Sequence, residues 1–225
     1  MLTAAHRHPA AEIQDDMRRR IISLELPPGS PLSRQELQDR YGVSSTPIRD
    51  MLLKLQESGL VEMLPQSRTS VSLIDLEQAR QAHFLRSAAE QAVIARLARA
   101  APPELVAGLR AIIVLQEQHA ATNLAIFAGL DARFHQELFA AANMMMVHDV
   151  IRRESMHIDR IRALHLPVGD KAAQILADHR LIVDRVAAQD APGAAEAMAA
   201  HLSQSIAIAP TLRDTMPEYF RIRTT

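Results

Sequence analysis

From Ala10 to Leu24 the apolar residues Ile13, Met17, Ile21 (or Ile22) and Leu24 recur at three- and four-residue intervals, which predicts an amphipathic helix. Leu26-Pro27-Pro28-Gly29 ends it, since proline cannot continue a helix and glycine permits the turn. Ser33-Arg34-Gln35-Glu36 has the form of a capping box and predicts a short helix through Arg40, followed by a tight turn at Tyr41-Gly42-Val43. Ser44 or Ser45 caps a third helix running to about Ser58, with Pro47 in its first turn. Ile48, Leu52 and Leu55 form the inner face of that helix, while Arg49 and Lys54 point outward. Gly59 stops it, and Leu60–Met63 and Thr69–Leu73 then read as two short strands around a Pro65-Gln66-Ser67-Arg68 turn. Helix, helix, turn, helix and hairpin is the order of a winged helix-turn-helix, whose third helix fits a major groove while the hairpin touches the backbone or minor groove.

From Asp75 the pattern changes to a succession of helices at about 75–100, 104–121, 123–142, 144–164, 170–189 and 192–208. Pro102-Pro103, Asn123, Asn143, Pro167 to Gly169 and Pro192-Gly193 punctuate them. Short connections between helices of this length predict a compact antiparallel all-α bundle. The fold class expected is therefore mostly α, with a winged helix-turn-helix over 1–73 and a helical domain over 74–225 joined near Ile74. The tail 210–225 reads as loosely packed.

Composition supports the helical reading: 48% of residues are hydrophobic but only 3% aromatic, so Ala and Leu carry the apolar load. There is no Cys, which excludes disulfides and thiolate metal sites. Met1 to Ala11 lacks the apolar core of a signal peptide, and no apolar run approaches the roughly 20 residues of a spanning helix, so a soluble cytoplasmic protein with no membrane partner is expected. Net charge is −1, and residues 1–73 hold nine Lys and Arg against nine Asp and Glu. DNA binding must then rest on where charges are placed, not on their sum.

In the helical half, Asp131 and His135 stand four apart and share one helix face, while His179 and His201 come from two later helices within apolar surroundings. Three imidazoles and one carboxylate suit Zn²⁺, Ni²⁺ or another divalent ion. An Asp-x-x-x-His pair is equally the pattern of a surface pair, and a core histidine can be satisfied by a hydrogen bond. Arg86 is suited to grip a carboxylate bidentately or to pair with Glu90 four residues on. Asn143 is suited to a ligand hydrogen bond or a helix cap, and Met144 to Met146 to adaptable packing. His6, His8, His119, His148 and His165 are read as surface or packing residues, with His83 and His157 as possible pocket neighbours.

The segments Leu26-Pro27-Pro28-Gly29-Ser30-Pro31-Leu32, Glu36-Leu37, Gly42-Val43-Ser44-Ser45-Thr46-Pro47-Ile48-Arg49-Asp50, Leu55 and Gly59-Leu60-Val61 resemble the GntR family of bacterial regulators. Arg86-x-x-x-Glu90, Asp131-x-x-x-His135, Asn143, Asp178-His179, Gln189-Asp190 with Ala194-Ala195, and His201-Leu202 resemble the FCD effector domain of its FadR-type subfamily. The resemblance implies a homodimeric transcriptional regulator, read as a repressor, which binds operator DNA and answers to a small carboxylate metabolite. It implies that Asp131, His135, His179 and His201 are metal ligands, and that Arg86 and Asn143 contact the effector. On the DNA side it implies Arg49 as base or phosphate reader, Ser44, Ser45 and Thr46 as donors to phosphate, and Arg34 and Arg68 as backbone or minor-groove contacts. Two positions depart from the family: Ser45 replaces an arginine that commonly helps read DNA, and Arg68 stands where the wing usually has glycine. Loss of one major-groove arginine removes about 1–3 kcal/mol of discrimination at one base.

Two other functions can be set against the same residues. A metal-dependent hydrolase would need a general base and finds no His-Glu-x-x-His pair, phosphate loop or nucleophile elbow. A metabolite- or metal-binding relative with weakened DNA contacts is motivated by Ser45 and Arg68.

Overall fold

The structure, a computed structural model, describes residues 10–64 and 68–222. Among these the chain divides into two compact units, one running to Leu76 and taking in the segment from Arg213, the other Glu77–Leu212. No helix among the described residues is long and apolar enough to cross a membrane.

In the first unit, α1 (Ala10–Ile22) buries Ile13, Met17 and Ile21, the stripe read from the sequence. Leu24 turns the chain with φ 64°, and Gly29 follows at φ 83°. α2 (Arg34–Tyr41) begins at Ser33, whose hydroxyl accepts from Glu36 N at 3.3 Å, and ends on Gly42 in the left-handed region, where a Cβ would be strained. α3 (Ser45–Glu57) buries Ile48, Met51, Leu52 and Leu55 against α1 and α2. β1 (Val61–Met63) and β2 (Thr69–Val71) are antiparallel, with Val61 opposite Val71 and Met63 opposite Thr69. The proline-rich breaker lies along β2: Gly29 N donates to Val71 O at 2.9 Å and Leu32 N to Thr69 O at 2.8 Å. Pro65, Gln66 and Ser67 of the expected turn lie outside the described residues.

The second unit holds α4 (Leu76–Ala100, whose first residue belongs to the first unit), α5 (Pro103–His119), α6 (Leu124–Ala141), α7 (Met145–Glu154), α8 (Met156–His165), α9 (Lys171–Ala187) and α10 (Ala191–Ala207). α5 packs on α6 and α9, and α9 on α10, around Ile94, Leu109, Phe127, Phe134, Leu138, Ile182, Val186 and Met198.

Two expectations change. The single helix expected at 144–164 is two, broken at Ser155, whose hydroxyl donates to Ile151 O at 2.7 Å; a serine bonding back to the preceding turn competes with the helical ladder. The tail is not loose. α11 (Ala209–Thr215) and a short 3₁₀ turn, Pro217–Tyr219, lead to Phe220, which is 1% exposed. Ile74 N donates to Tyr219 O and Arg221 N to Ile74 O, both at 2.8 Å, so the segment after Arg213 is built into the first unit. Burial of one aromatic ring outweighs the polar composition around it.

Candidate functional site

The bundle brings Asp131, His135, His179 and His201 to one buried point, with one ligand atom from each lying within 4.8 Å of every other. α6 supplies Asp131 and His135 from adjacent turns, α9 supplies His179 and α10 supplies His201. Phe134 lies flat on His179, ring centroids 3.8 Å apart and planes 6° from parallel, which fixes that imidazole.

The ring nitrogens facing away from the cluster all meet oxygen acceptors. His135 Nδ1 donates to Glu90 Oε2 at 2.6 Å, His179 Nδ1 to Gln116 Oε1 at 2.9 Å, and His201 Nδ1 to Asp178 Oδ2 at 3.2 Å. With each Nδ1 carrying the proton, each Nε2 turns a lone pair inward. His201 Nε2 then faces His135 Nε2 at 3.3 Å, and His179 Nε2 stands 3.6 Å from Asp131 Oδ1. Among the described residues neither His179 Nε2 nor Asp131 Oδ1 finds a hydrogen-bond partner, though both are buried. Inward lone pairs and an unsatisfied carboxylate oxygen repel one another unless a cation lies between them. Donors about 2.0–2.2 Å from a tetrahedral ion sit roughly 3.4 Å apart, close to both spacings. The residues present therefore fit a metal ion.

Electrostatics keep the donors in their ligating forms. Burial pushes the imidazoles of His135 and His179 below the ordinary histidine value, so both are neutral at pH 7; at His135 the Glu90 carboxylate offsets part of the effect. Burial opposes ionisation of Glu90 and Asp131, but Arg86 and His135 beside the first, and Arg162 beside the second, hold both well below the usual carboxylate range.

Next to the cluster is a small open cavity, about 20 Å³ of it accessible to the centre of a water molecule, whose lining includes His83, Arg86, Arg162, Lys171, His201 and Ser205. Arg86 lines this cavity, and its Nε donates to Glu90 Oε1 at 2.5 Å in a buried pair, the pairing expected as the alternative to a ligand contact. Glu90 thereby links the Arg86 guanidinium to His135. Asn143 is not brought here; it is exposed, has φ 56°, and turns the chain between α6 and α7. His83 lines the cavity as expected of a pocket neighbour, whereas His157 is bonded to buried Arg160 and is not among the lining residues.

Sequence reasoning missed Gln116, Asp178, Arg162 and Lys171 as participants. Gln116 had a signal, a polar residue continuing the apolar series Leu109, Ile112, Ile113 on α5 and wholly buried. Lys171 had one too, since it continues the His179 and Ile175 series of α9 toward the N-terminus. Arg162, which pairs with Asp131 and with Asp159, had none, because α8 was read as the end of a longer helix.

In the first unit Arg34, Ser44, Ser45, Thr46, Arg49 and Arg68 are all exposed. Ser44, Ser45 and Thr46 surround the α3 N-terminus, whose first turn has no acidic residue and whose N-cap Ser44 makes no side-chain cap bond. Hydroxyls and backbone N–H groups at this dipole end can meet phosphate oxygens, with Arg49 one turn along the same helix.

Residues 9–71 match the model of bacterial regulatory proteins of the gntR family, and residues 60–204 match that of the FCD domain. The chain is 35% identical over 204 residues to an HTH-type transcriptional regulator in an unstable DNA locus of Streptomyces ambofaciens, covering 91% of this chain and 86% of that one. It is 30% identical over 207 residues to the HTH-type transcriptional repressor RspR of Escherichia coli K12, covering 91% and 90%. The fold is shared with the solved structure of E. coli McbR/YncC, TM-score 0.75 at 19% identity over 90% of this chain and 97% of that one, and with a GntR regulator from Rhodococcus sp. RHA1, TM-score 0.72 at 19% identity over 90% and 97%. The chain belongs to the GntR family of helix-turn-helix transcriptional regulators, with an FCD domain following its DNA-binding domain, and the family and these relatives are regulators and not enzymes.

Proposed function

We propose that this regulator is a cytoplasmic, homodimeric repressor whose operator affinity is set by a small organic acid bound beside a metal ion in the helical domain. One observation carries the reading. The inward-facing lone pairs of His135, His179 and His201 and the unsatisfied Asp131 oxygen adjoin a cavity lined by Arg86, Arg162 and Lys171, within a chain that also has a DNA-binding domain. Residues 1–73 are assigned to DNA and the helical unit Glu77–Leu212 to sensing and dimerisation, the segment from Arg213 belonging with the DNA-binding unit.

Asp131, His135, His179 and His201 would hold a divalent ion, zinc first and nickel or another borderline ion as alternatives, since a buried three-nitrogen, one-oxygen set favours them. Bound there, the ion would act as a Lewis acid for ligand oxygens. Glu90, Gln116 and Asp178 hold the imidazole tautomers that face it, and Arg162 holds the second oxygen of Asp131. Arg86 lines the cavity with its charge already shared with Glu90. On the DNA side Arg49 would grip a guanine edge or a phosphate, with Ser44, Ser45, Thr46, Arg34 and Arg68 around it. The repressor sense rests on relatives named as repressors.

The test is a salt-series anisotropy titration against DNA from the gene's own upstream region and against fragments selected genome-wide, with Arg49→Ala alongside. Tight, salt-dependent binding that the variant loses supports the reading. Binding no tighter than to random DNA in both sets would favour the relative with weakened DNA contacts, where Ser45 in place of arginine is decisive.

A further inference from the structure

Three cations line the cavity, and two of them are already neutralised. Arg86 pairs with Glu90, and Arg162 with Asp131 and Asp159. Lys171 differs. It is 6% exposed, and its ammonium donates to the neutral side-chain carbonyl of Gln204; among the described residues no carboxylate forms an ion pair with it. A buried ammonium without a counter-charge is expensive, and here it faces an opening instead of packed apolar atoms. Burial accordingly holds its amine below the ordinary lysine value, with Asp178 and, more weakly, Asp131 offsetting only part of the effect and Arg162 adding to it.

Its place relative to the metal ligands is set by two helices. On α9, Lys171, Ile175 and His179 follow at four-residue intervals and share a face. On α10, Gln204 and Ser205 come three and four residues after His201, about 5 Å along the helix axis, which is also about the span between the ends of a four-carbon diacid. A charged ligand reaching from His201 toward Gln204 and Ser205 would therefore arrive at the Lys171 ammonium.

We infer that Lys171 selects the charge of the effector, so that the pocket takes a short acid with two anionic groups, one directed to the Asp131, His135, His179 and His201 cluster and the other to Lys171. The second group is a carboxylate or a phosphate, since either satisfies an ammonium. This inference rests on the reading of the bundle as an acid sensor. It changes the assignment of the anchor: Arg86, committed through Nε to Glu90, orients, while Lys171 supplies the uncancelled charge.

Calorimetric titration of the zinc-loaded full-length protein tests it, using succinate and L-malate as dicarboxylate dianions, 3-phosphoglycerate as the acid whose second anionic group is a phosphate, and butyrate as the monoanion of matching length. Wild type is expected to bind at least one dianion ten-fold or more tighter than butyrate; a diacid winning over 3-phosphoglycerate identifies the second group as carboxylate, and the reverse as phosphate. Lys171→Met is expected to bring dianion and butyrate affinities within about two-fold of each other while zinc content is unchanged, and Lys171→Arg to restore most of the preference. Lys171→Gln, which keeps a polar head in the same space, gives the same reading if the methionine variant is poorly folded by circular dichroism. Equal binding of butyrate and every dianion by wild type, or a preference surviving in Lys171→Met and Lys171→Gln, overturns the charge-selection role and leaves acid sensing standing. No heat with any acid overturns both.

Discussion

His179 concentrates several constraints in one side chain. It is fully buried, stacked on Phe134, bonded through Nδ1 to Gln116, and left with a buried Nε2 that no group among the described residues satisfies. If that nitrogen serves a metal, His179→Ala removes one of four ligands and opens a cavity beside Phe134. Metal content measured by atomic emission is expected to fall to a small fraction of the wild-type value, and the melting temperature with it, while operator affinity of residues 1–73 stays within a few-fold. Unchanged metal content would remove His179 from the ligand set. Acid is expected to act on the same group. The folded-state values of His135 and His179 lie below their unfolded value of 6.5, so their contribution to stability is whole above that pH and declines as pH falls through it, because the unfolded chain takes up protons that the fold refuses. Glu90 and Asp131, held below the carboxylate range, add a second loss as pH falls past about 4. Urea midpoints of chelator-treated protein should therefore decrease from about pH 6.5 downward. A midpoint flat between pH 7 and 5 would mean that these imidazoles are not buried neutral.

At the scale of elements, the segment after Arg213 gives the sharpest prediction. Phe220 is almost fully buried, and its neighbours Tyr219 and Arg221 bond on either side of Ile74. Phe220→Ala should destabilise the DNA-binding unit by about 3–5 kcal/mol. The measurement is urea unfolding followed by operator binding, and a loss under 1 kcal/mol would show that the strand-like pairing with Ile74 is incidental. This element was illegible in the sequence because no period marks it; a lone Phe among Glu218, Tyr219 and Arg221 carries no count against a template. The helices with clear stripes were legible. Ile13, Met17 and Ile21 on α1 and Ile48, Leu52 and Leu55 on α3 are buried where the pattern put them, because one face of each helix alone meets the core. The break at Ser155 was not, since a serine within an amphipathic run bonds outward or backward depending on packing. The candidate ligands could be named from spacing and resemblance, but their partners Glu90, Gln116 and Asp178 come from three helices and meet only in the fold. Arg162 was hidden for the same reason: a charge reads as surface unless the neighbouring helices are placed around it.

For the whole molecule, sensing and DNA binding are linked only if the acid has different affinities for the operator-bound and the free protein. Coupling of this kind is reciprocal: whatever factor the acid removes from operator affinity, operator DNA removes from acid affinity. A ten-fold effect corresponds to about 1.4 kcal/mol in both directions. Two titrations are needed at one salt concentration, because phosphate contacts make operator affinity steeply salt-dependent. The first is anisotropy of labelled operator with and without saturating acid, and the second is calorimetry of the acid with and without saturating operator. The factors are expected to agree within two-fold for zinc-loaded protein and to fall toward one for His179→Ala, which has lost the place where the acid would bind. Sedimentation of each state belongs beside them, since a twofold operator is bound by a dimer and an acid that dissociates the dimer would weaken DNA binding without any coupling inside the chain. A factor that persists undiminished in His179→Ala with an intact dimer would locate the acid at some site other than the cavity lined by Arg86, Arg162 and Lys171.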